Sequence, residues 1–332
     1  MRAKQFRVSR TWALSFLGLT LVFVTLMSLI TGPITINPWQ LIGGELTELE
    51  ALILIDIRVP RIILNIIVGA GVAVSGAAIQ GLFRNPLADP ALIGVSSGAA
   101  LFAAGFLIMG GGVLGQLGLS GSAFVGGLLT TFLVLAVGRK SGSISGMLLA
   151  GIAINAIALS GIGLFSYLSS DAQLRSVAFW ALGSFGSADW EMVYVILLTL
   201  PFILLLYDQS HKLNAITLGD QEAASLGIFV PGLRRQVILY TAFIVSVSVS
   251  LVGVISFVGL VVPHLIRLSC GSSHTTLIPC SALLGGILVL LADGFSRTVF
   301  APAELPVGIL LAIIGGPFFI LLILRSQEKM GI

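Results

Sequence analysis

Pro60-Arg-Ile-Ile-Leu-Asn-Ile-Ile-Val-Gly-Ala-Gly-Val-Ala-Val-Ser-Gly-Ala-Ala-Ile-Gln-Gly-Leu82 is the stretch that decides the fold. After Arg61 it carries no charge, and a run of roughly 20 apolar residues is what a helix needs to cross the hydrocarbon core of a bilayer. Runs of the same kind recur from end to end. With 57% apolar residues and only 9% Asp, Glu, Lys or Arg, and a mean hydropathy of +1.09, the composition lies outside the range of soluble domains. The bilayer is this chain's solvent, and the expected fold class is all-α and polytopic.

The apolar blocks predict ten helical spans, at about 12–32, 60–82, 92–110, 119–138, 144–167, 191–208, 236–256, 258–268, 277–296 and 305–324. The eighth is too short to cross alone and is either a half-span or joined to a longer neighbour. An even number puts both termini on one side. Of the 17 Lys and Arg, only Arg58, Arg61, Arg175 and Arg297 then fall on the other side. By the positive-inside rule, the side with the termini is the cytoplasm. The first apolar block, Trp12 to Ile30, is longer than a signal-peptide core and no small-residue cleavage site follows it, so a retained first span is expected. The net charge of +3 reflects the same bias and does not indicate nucleic acid.

Val245 to Ser250 alternates Val and Ser, a strand pattern in a soluble protein. In lipid an open strand edge leaves backbone groups unpaired, so a helix is expected, its serines bonding to their own backbone or packing small faces between helices. Many of the 40 glycines sit in or beside spans, as at Gly69-Ala-Gly71, Gly110-Gly-Gly112 and Gly126-Gly127, and suggest close helix packing. Cys270 and Cys280 match no metal spacing and read as small apolar fillers without a disulfide.

Enzyme motifs are missing. Gly138-Arg-Lys-Ser141 lacks the first Gly and the Gly-Lys-Ser/Thr ending of a phosphate loop. His211 and His274 read as solvated loop residues, and His264, after Pro263, as a packing residue. No cluster of carboxylates and histidines indicates a metal site, and the spans carry no Asp/Glu chain of the kind proton-coupled carriers use. No resident cofactor is expected, and any energy source must lie outside this chain. The strongest local signals are at the membrane edges. The prolines of Arg84-Asn-Pro-Leu-Ala-Asp-Pro90 end the second span and Asp89 is placed to cap the next. Between Asp208 and Gln236, Leu218-Gly-Asp-Gln-Glu-Ala-Ala-Ser-Leu-Gly227 reads as a short helix ending in Gly, either a plain connector or a docking surface for a soluble partner.

Arg58-Val-Pro-Arg61, Gln80 to Pro90, Leu92-Ile-Gly-Val-Ser-Ser-Gly98, Leu218 to Gly227, Phe257-Val-Gly-Leu-Val-Val-Pro-His264 and Glu304-Leu-Pro-Val-Gly308 together resemble the permease subunit of type II ABC importers for vitamin B12, iron-siderophores and haem. The resemblance runs in order across nearly the whole chain. It implies a single transmembrane domain over 1–332 with a cytoplasmic coupling loop at 209–236, in a bacterial inner membrane. The implied partners are a second copy of the chain, two copies of a separate ATPase and a periplasmic binding protein. Arg58, Arg61 and Arg297 correspond to arginines that meet acidic residues of the binding protein; the alternatives are snorkelling at span ends and, for Arg297, a helical pair with Asp293. Asp220, Glu222, Ala224 and Gly227 correspond to the segment that sits in a groove of the ATPase. The periplasmic stretch from Tyr167 through Arg175 to Trp190 resembles haem permeases. Haem is a flat apolar ring with two carboxylates, suited to an apolar corridor with one arginine per subunit at its mouth. Arg175, with Tyr167, is therefore the candidate for the substrate pathway, the alternative being an interfacial loop arginine near Trp180 and Trp190. A ferric siderophore or cobalamin is the other cargo considered, and a carrier or channel working alone is the alternative of a different class.

Overall fold

A computed structural model describes residues 9–32, 34, 37–38, 43–44, 46–110, 114–141, 144–299, 301 and 303–330. Arg2, Lys4, Arg7 and the pair Gly111-Gly112 lie outside these. The described elements are helical: α1 Arg10–Ile30, α2 Glu48–Leu82, α3 Val95–Ile108, α4 Gly115–Ser141, α5 Ile144–Leu168, α6 Asp171–Ala181, α7 Trp190–Asp208, α8 Ser210–Ile216, α9 Asp220–Ser225, α10 Val230–Val252, α11 Val258–Cys270, α12 His274–Val299 and α13 Val307–Met330. Seven are long and apolar enough to cross a bilayer, and α3, α11 and the apolar part of α13 are shorter. All ten expected segments appear as helices, seven of them long enough to cross and three shorter. Two have shifted starts: α2 begins upstream at Glu48 and passes through a π-helical turn at Ile53–Arg58, and α10 begins at Val230.

The burial pattern sets the layering. Along their most apolar windows α2, α10 and α12 are 78%, 72% and 61% buried, whereas α1 and α5 are 22% and 17% buried. Apolar side chains gain little by leaving lipid for a protein interior, so close backbone approach must hold such a core together. The glycines allow it. A Cβ on Gly69 would lie 2.4 Å from the Gly285 carbonyl oxygen, and one on Gly76 would lie 1.8 Å from that of Gly259. These contacts set α2 against α12 and α11, backbone to backbone. Gly76→Val is therefore expected to cost about 3 kcal/mol, since neither backbone can yield. Loss of the monodisperse detergent peak, or a melting point several degrees lower, is the expected result, and wild-type melting would refute the packing argument.

The alternating Val–Ser stretch is helical. Ser248 Oγ donates to the Ile244 carbonyl at 2.8 Å and Ser250 Oγ to that of Val247 at 2.9 Å, while Ser246 fills the notch over Gly127. The eighth span is the half-span rather than an extension of its neighbour. α10 stops at Gly253, at φ +75°, and α11 starts five residues later with Phe257 at φ +67°. Non-helical backbone at this depth persists only where protein covers it. Here Ser184 N–H donates to the Val252 carbonyl and Gly308 N–H to that of Gly183, at 2.8 and 3.3 Å.

Two ends of the bundle can be told apart. At one, α2 starts and α12 finishes around Arg61; at the other, α2 finishes beside α9. Arg10 at the start of α1 donates to Tyr207 Oη at 3.0 Å near the second end, and α13 leads away from the first. The first and last helices thus have their free ends toward the α9 end.

Candidate functional site

At the Arg61 end the structure brings together charges far apart in sequence. Arg61 Nε donates to both carboxylate oxygens of Asp293 at 3.1 Å. Its Nη2 donates to Asp293 Oδ1 at 2.8 Å and to Glu304 Oε2 at 2.9 Å, and its Nη1 donates to Glu304 Oε1 at 3.1 Å. Arg297, one turn after Asp293, places Nε 3.3 Å from Asp293 Oδ2, the helical pair weighed as the alternative to docking, and donates from Nη2 to Ser28 Oγ at 2.9 Å. Arg58 reaches the last carbonyls of α1, donating from Nη1 to Leu29 and Ile30 and from Nη2 to Ile34. A guanidinium there satisfies orphan carbonyls and sits at the negative end of the helix dipole.

All three arginines are buried, at 3%, 5% and 4% exposure, and Asp293 is fully buried. A carboxylate in that position is tolerated only because two guanidiniums face it. Glu304 alone opens to the outside, its side chain 35% exposed. A sign of Asp293 was present in the sequence, as a lone acid inside an apolar run.

At the other end, Asp220 opens α9 and accepts from Arg84 Nη2 at 3.3 Å and, through its other oxygen, from Arg234 Nη2. These pairs tie α9 to the turn after α2 and to the start of α10. Partly exposed pairs contribute at most about 1 kcal/mol each, so their effect is to orient α9. Glu222 folds over Gly219, while Ala224 and Gly227 are exposed. Gly227 has φ +83° with no atom within 4 Å of where a Cβ would sit, the expected glycine stop of a short helix. Around it Leu218, Leu226 and Phe229 are 69%, 66% and 75% exposed.

His274 is not solvated. It is 2% exposed, packed into the notch at Gly81, and both its backbone N and its Nδ1 donate to Asn214 Oδ1, at 2.7 and 2.9 Å. Asn214 on α8 thus caps α12 from outside its own chain neighbourhood, a pairing that no local spacing announces. His211 is exposed, on α8 rather than in a loop. Asp89 caps the following turn as expected, accepting from Ala91 N–H at 2.8 Å. Both cysteines are free.

Tyr167 and Arg175 lie at the Arg61 end, on the outer part of α5 and on α6. Ser170 and Gln173 form a capping box that starts α6, and Gln173 Nε2 donates to the Ile108 carbonyl at 2.8 Å, which fixes α6 against α3. Tyr167 is 85% exposed and Phe179 64% exposed. Arg175 is exposed and makes no hydrogen bond or ion pair among the described residues. The structure brings neither Tyr167 nor Arg175 into the arginine network.

Ten apolar segments among the described residues, with a charged network at one end and a small polar helix exposed at the other, form the architecture of a polytopic membrane protein. The FecCD transport family matches residues 20–325, and the chain belongs to this family, as the permease subunit of a type II ABC importer. It is 41% identical to the hemin transport system permease protein HmuU of Yersinia pestis, over 97% of this chain and 98% of that protein. It is 38% identical to the vitamin B12 import system permease protein BtuC of Salmonella paratyphi A, over 98% of both. A solved structure described as an inward-facing conformation of a metal-chelate type ABC transporter superposes with a TM-score of 0.87 at 33% identity, covering 94% of this chain and 98% of that one. In importers of this type ATP is hydrolysed on a separate chain.

Proposed function

We propose that this permease imports haem, as a homodimer in a bacterial inner membrane with both termini in the cytoplasm. A binding protein docks on the Arg58–Arg61–Arg297 end and two ATPase subunits bind at α9. The observation that carries the cargo is Arg175: an exposed guanidinium with no partner among the described residues, on α6 one turn before the exposed Phe179, with the exposed Tyr167 near the end of the preceding helix. A cation framed by aromatic surface suits a flat apolar ring bearing carboxylates. The similarity to the hemin permease supports the same cargo, while the similarity to the B12 permease favours cobalamin as the second reading. The apolar rim of α9, left exposed by the described residues, supports a protein partner at that end.

Vesicles containing the permease and its ATPase, supplied with loaded binding protein, test the cargo. Arg175→Ala should lower haem uptake about 10-fold, the loss of one charge-assisted contact, with assembly intact. Arg175→Lys should recover part of it, since lysine keeps the charge and loses the planar fork. Wild-type vesicles that take up cobalamin or a ferric siderophore and not haem would overturn the cargo and leave the importer in place.

A further inference from the structure

The docking arginines proposed above are already occupied, and the manner of their occupation identifies what an incoming partner must do. Of the five N–H groups on Arg61, all but one Nη1 hydrogen are engaged. Asp293 takes the Nε and inner Nη2 side at zero exposure. Glu304 takes the outer edge with both oxygens, one on Nη1 and one on Nη2. That is the bidentate geometry by which any carboxylate binds a guanidinium, and it faces outward.

Within this network of five side chains, three guanidiniums against two carboxylates leave a surplus of one positive charge, and neutralising Glu304 would leave two. Glu304 is also the member held by the loop before α13 rather than by a buried helix, and its side chain is the 35% exposed one. We infer that Glu304 is a resident stand-in for the partner's carboxylate: it satisfies Arg61 while the permease is free, and an acidic side chain of the docking protein takes its place by displacing it from the outer edge. The inference rests on the docking role proposed for these arginines. On this view Glu304 weakens docking, and release of a spent partner is assisted by Glu304 returning to Arg61.

The test is the affinity of the loaded binding protein for the permease–ATPase complex in nanodiscs, measured at two salt concentrations. Glu304→Gln should tighten binding about 5- to 10-fold and steepen its salt dependence, because the approaching carboxylate meets more positive charge and no anionic competitor. Glu304→Asp, one methylene shorter and unable to reach both Nη atoms from the same backbone, should tighten binding by a smaller factor while keeping the charge. Unchanged or weaker binding in both variants, each folded by its melting curve, overturns the exchange. Arg58→Glu separates the two levels, since Arg58 bonds only to backbone carbonyls. If Arg58→Glu weakens docking while the Glu304 variants do nothing, only the exchange fails. If Arg58→Glu and both Glu304 variants leave the affinity untouched, the docking role itself falls and the exchange with it.

Discussion

Asp293→Ala should destabilise the folded permease by about 3–5 kcal/mol, the cost of stripping one partner from a buried ion network. The substitution leaves Arg297 with only Ser28 and Arg61 with only Glu304, two guanidiniums side by side in an apolar surround. Asp293→Asn preserves the shape and can still accept from Arg61, so its loss should be smaller. Replacing all the charges at once is a different experiment, because a well-packed apolar substitute for a buried ion network is often neutral. Melting followed by fluorescence-detected size exclusion reads the difference. An Asp293→Ala protein that melts with the wild type would show that the network is not needed to hold α2, α12 and the loop before α13 together.

Transport should be abolished by Gly227→Asp and by Glu222→Arg, with the bundle intact. The structure makes this prediction sharp. Nothing lies within 4 Å of a Cβ on Gly227, and Asp is among the side chains that tolerate a positive φ, so the internal penalty is only about 1 kcal/mol. The new charge sits instead among the exposed Leu218, Leu226 and Phe229, where a partner would have to bury it. Glu222→Arg reverses the charge on the exposed first turn of α9. Less ATPase should co-purify with either variant, and substrate-stimulated ATP hydrolysis should disappear. Normal co-purification and uptake in both would remove α9 from the coupling surface.

How much of this was legible without a structure differs by element. The spans were, because a bilayer demands a long apolar run for each crossing and imposes the demand locally. The Val–Ser stretch shows the strength of that rule, since a strand pattern in the letters becomes a helix in which Ser248 and Ser250 bond to its own backbone and Ser246 packs over Gly127. The half-span was legible as too short, but its separation from α10 was not, because the Val252 carbonyl at the break is satisfied by Ser184 from another part of the chain, which Gly308 in turn holds through Gly183. The α9 helix and its glycine stop were legible from local composition. His274 was misread as solvated because the Asn214 that binds it is 60 positions away.

The positions of the arginines at the membrane edge, the all-helical class and the family resemblance were determined by the sequence alone. Apolar run length, charge placement and motif order are properties of neighbouring residues, and they survive in any arrangement of the helices. What surrounds each charge was decided only by the tertiary structure. Arg61 meets Asp293 across 232 positions and Glu304 across 243, so no spacing rule connects them. Their meeting requires Gly69 and Gly285 to bring two backbones into contact. Once that approach is made, an arginine that the sequence presents as exposed becomes a buried ligand of two acids. Its outer edge can then pass from one carboxylate to another, because desolvation makes a vacant guanidinium costly and any carboxylate of matching geometry can fill it.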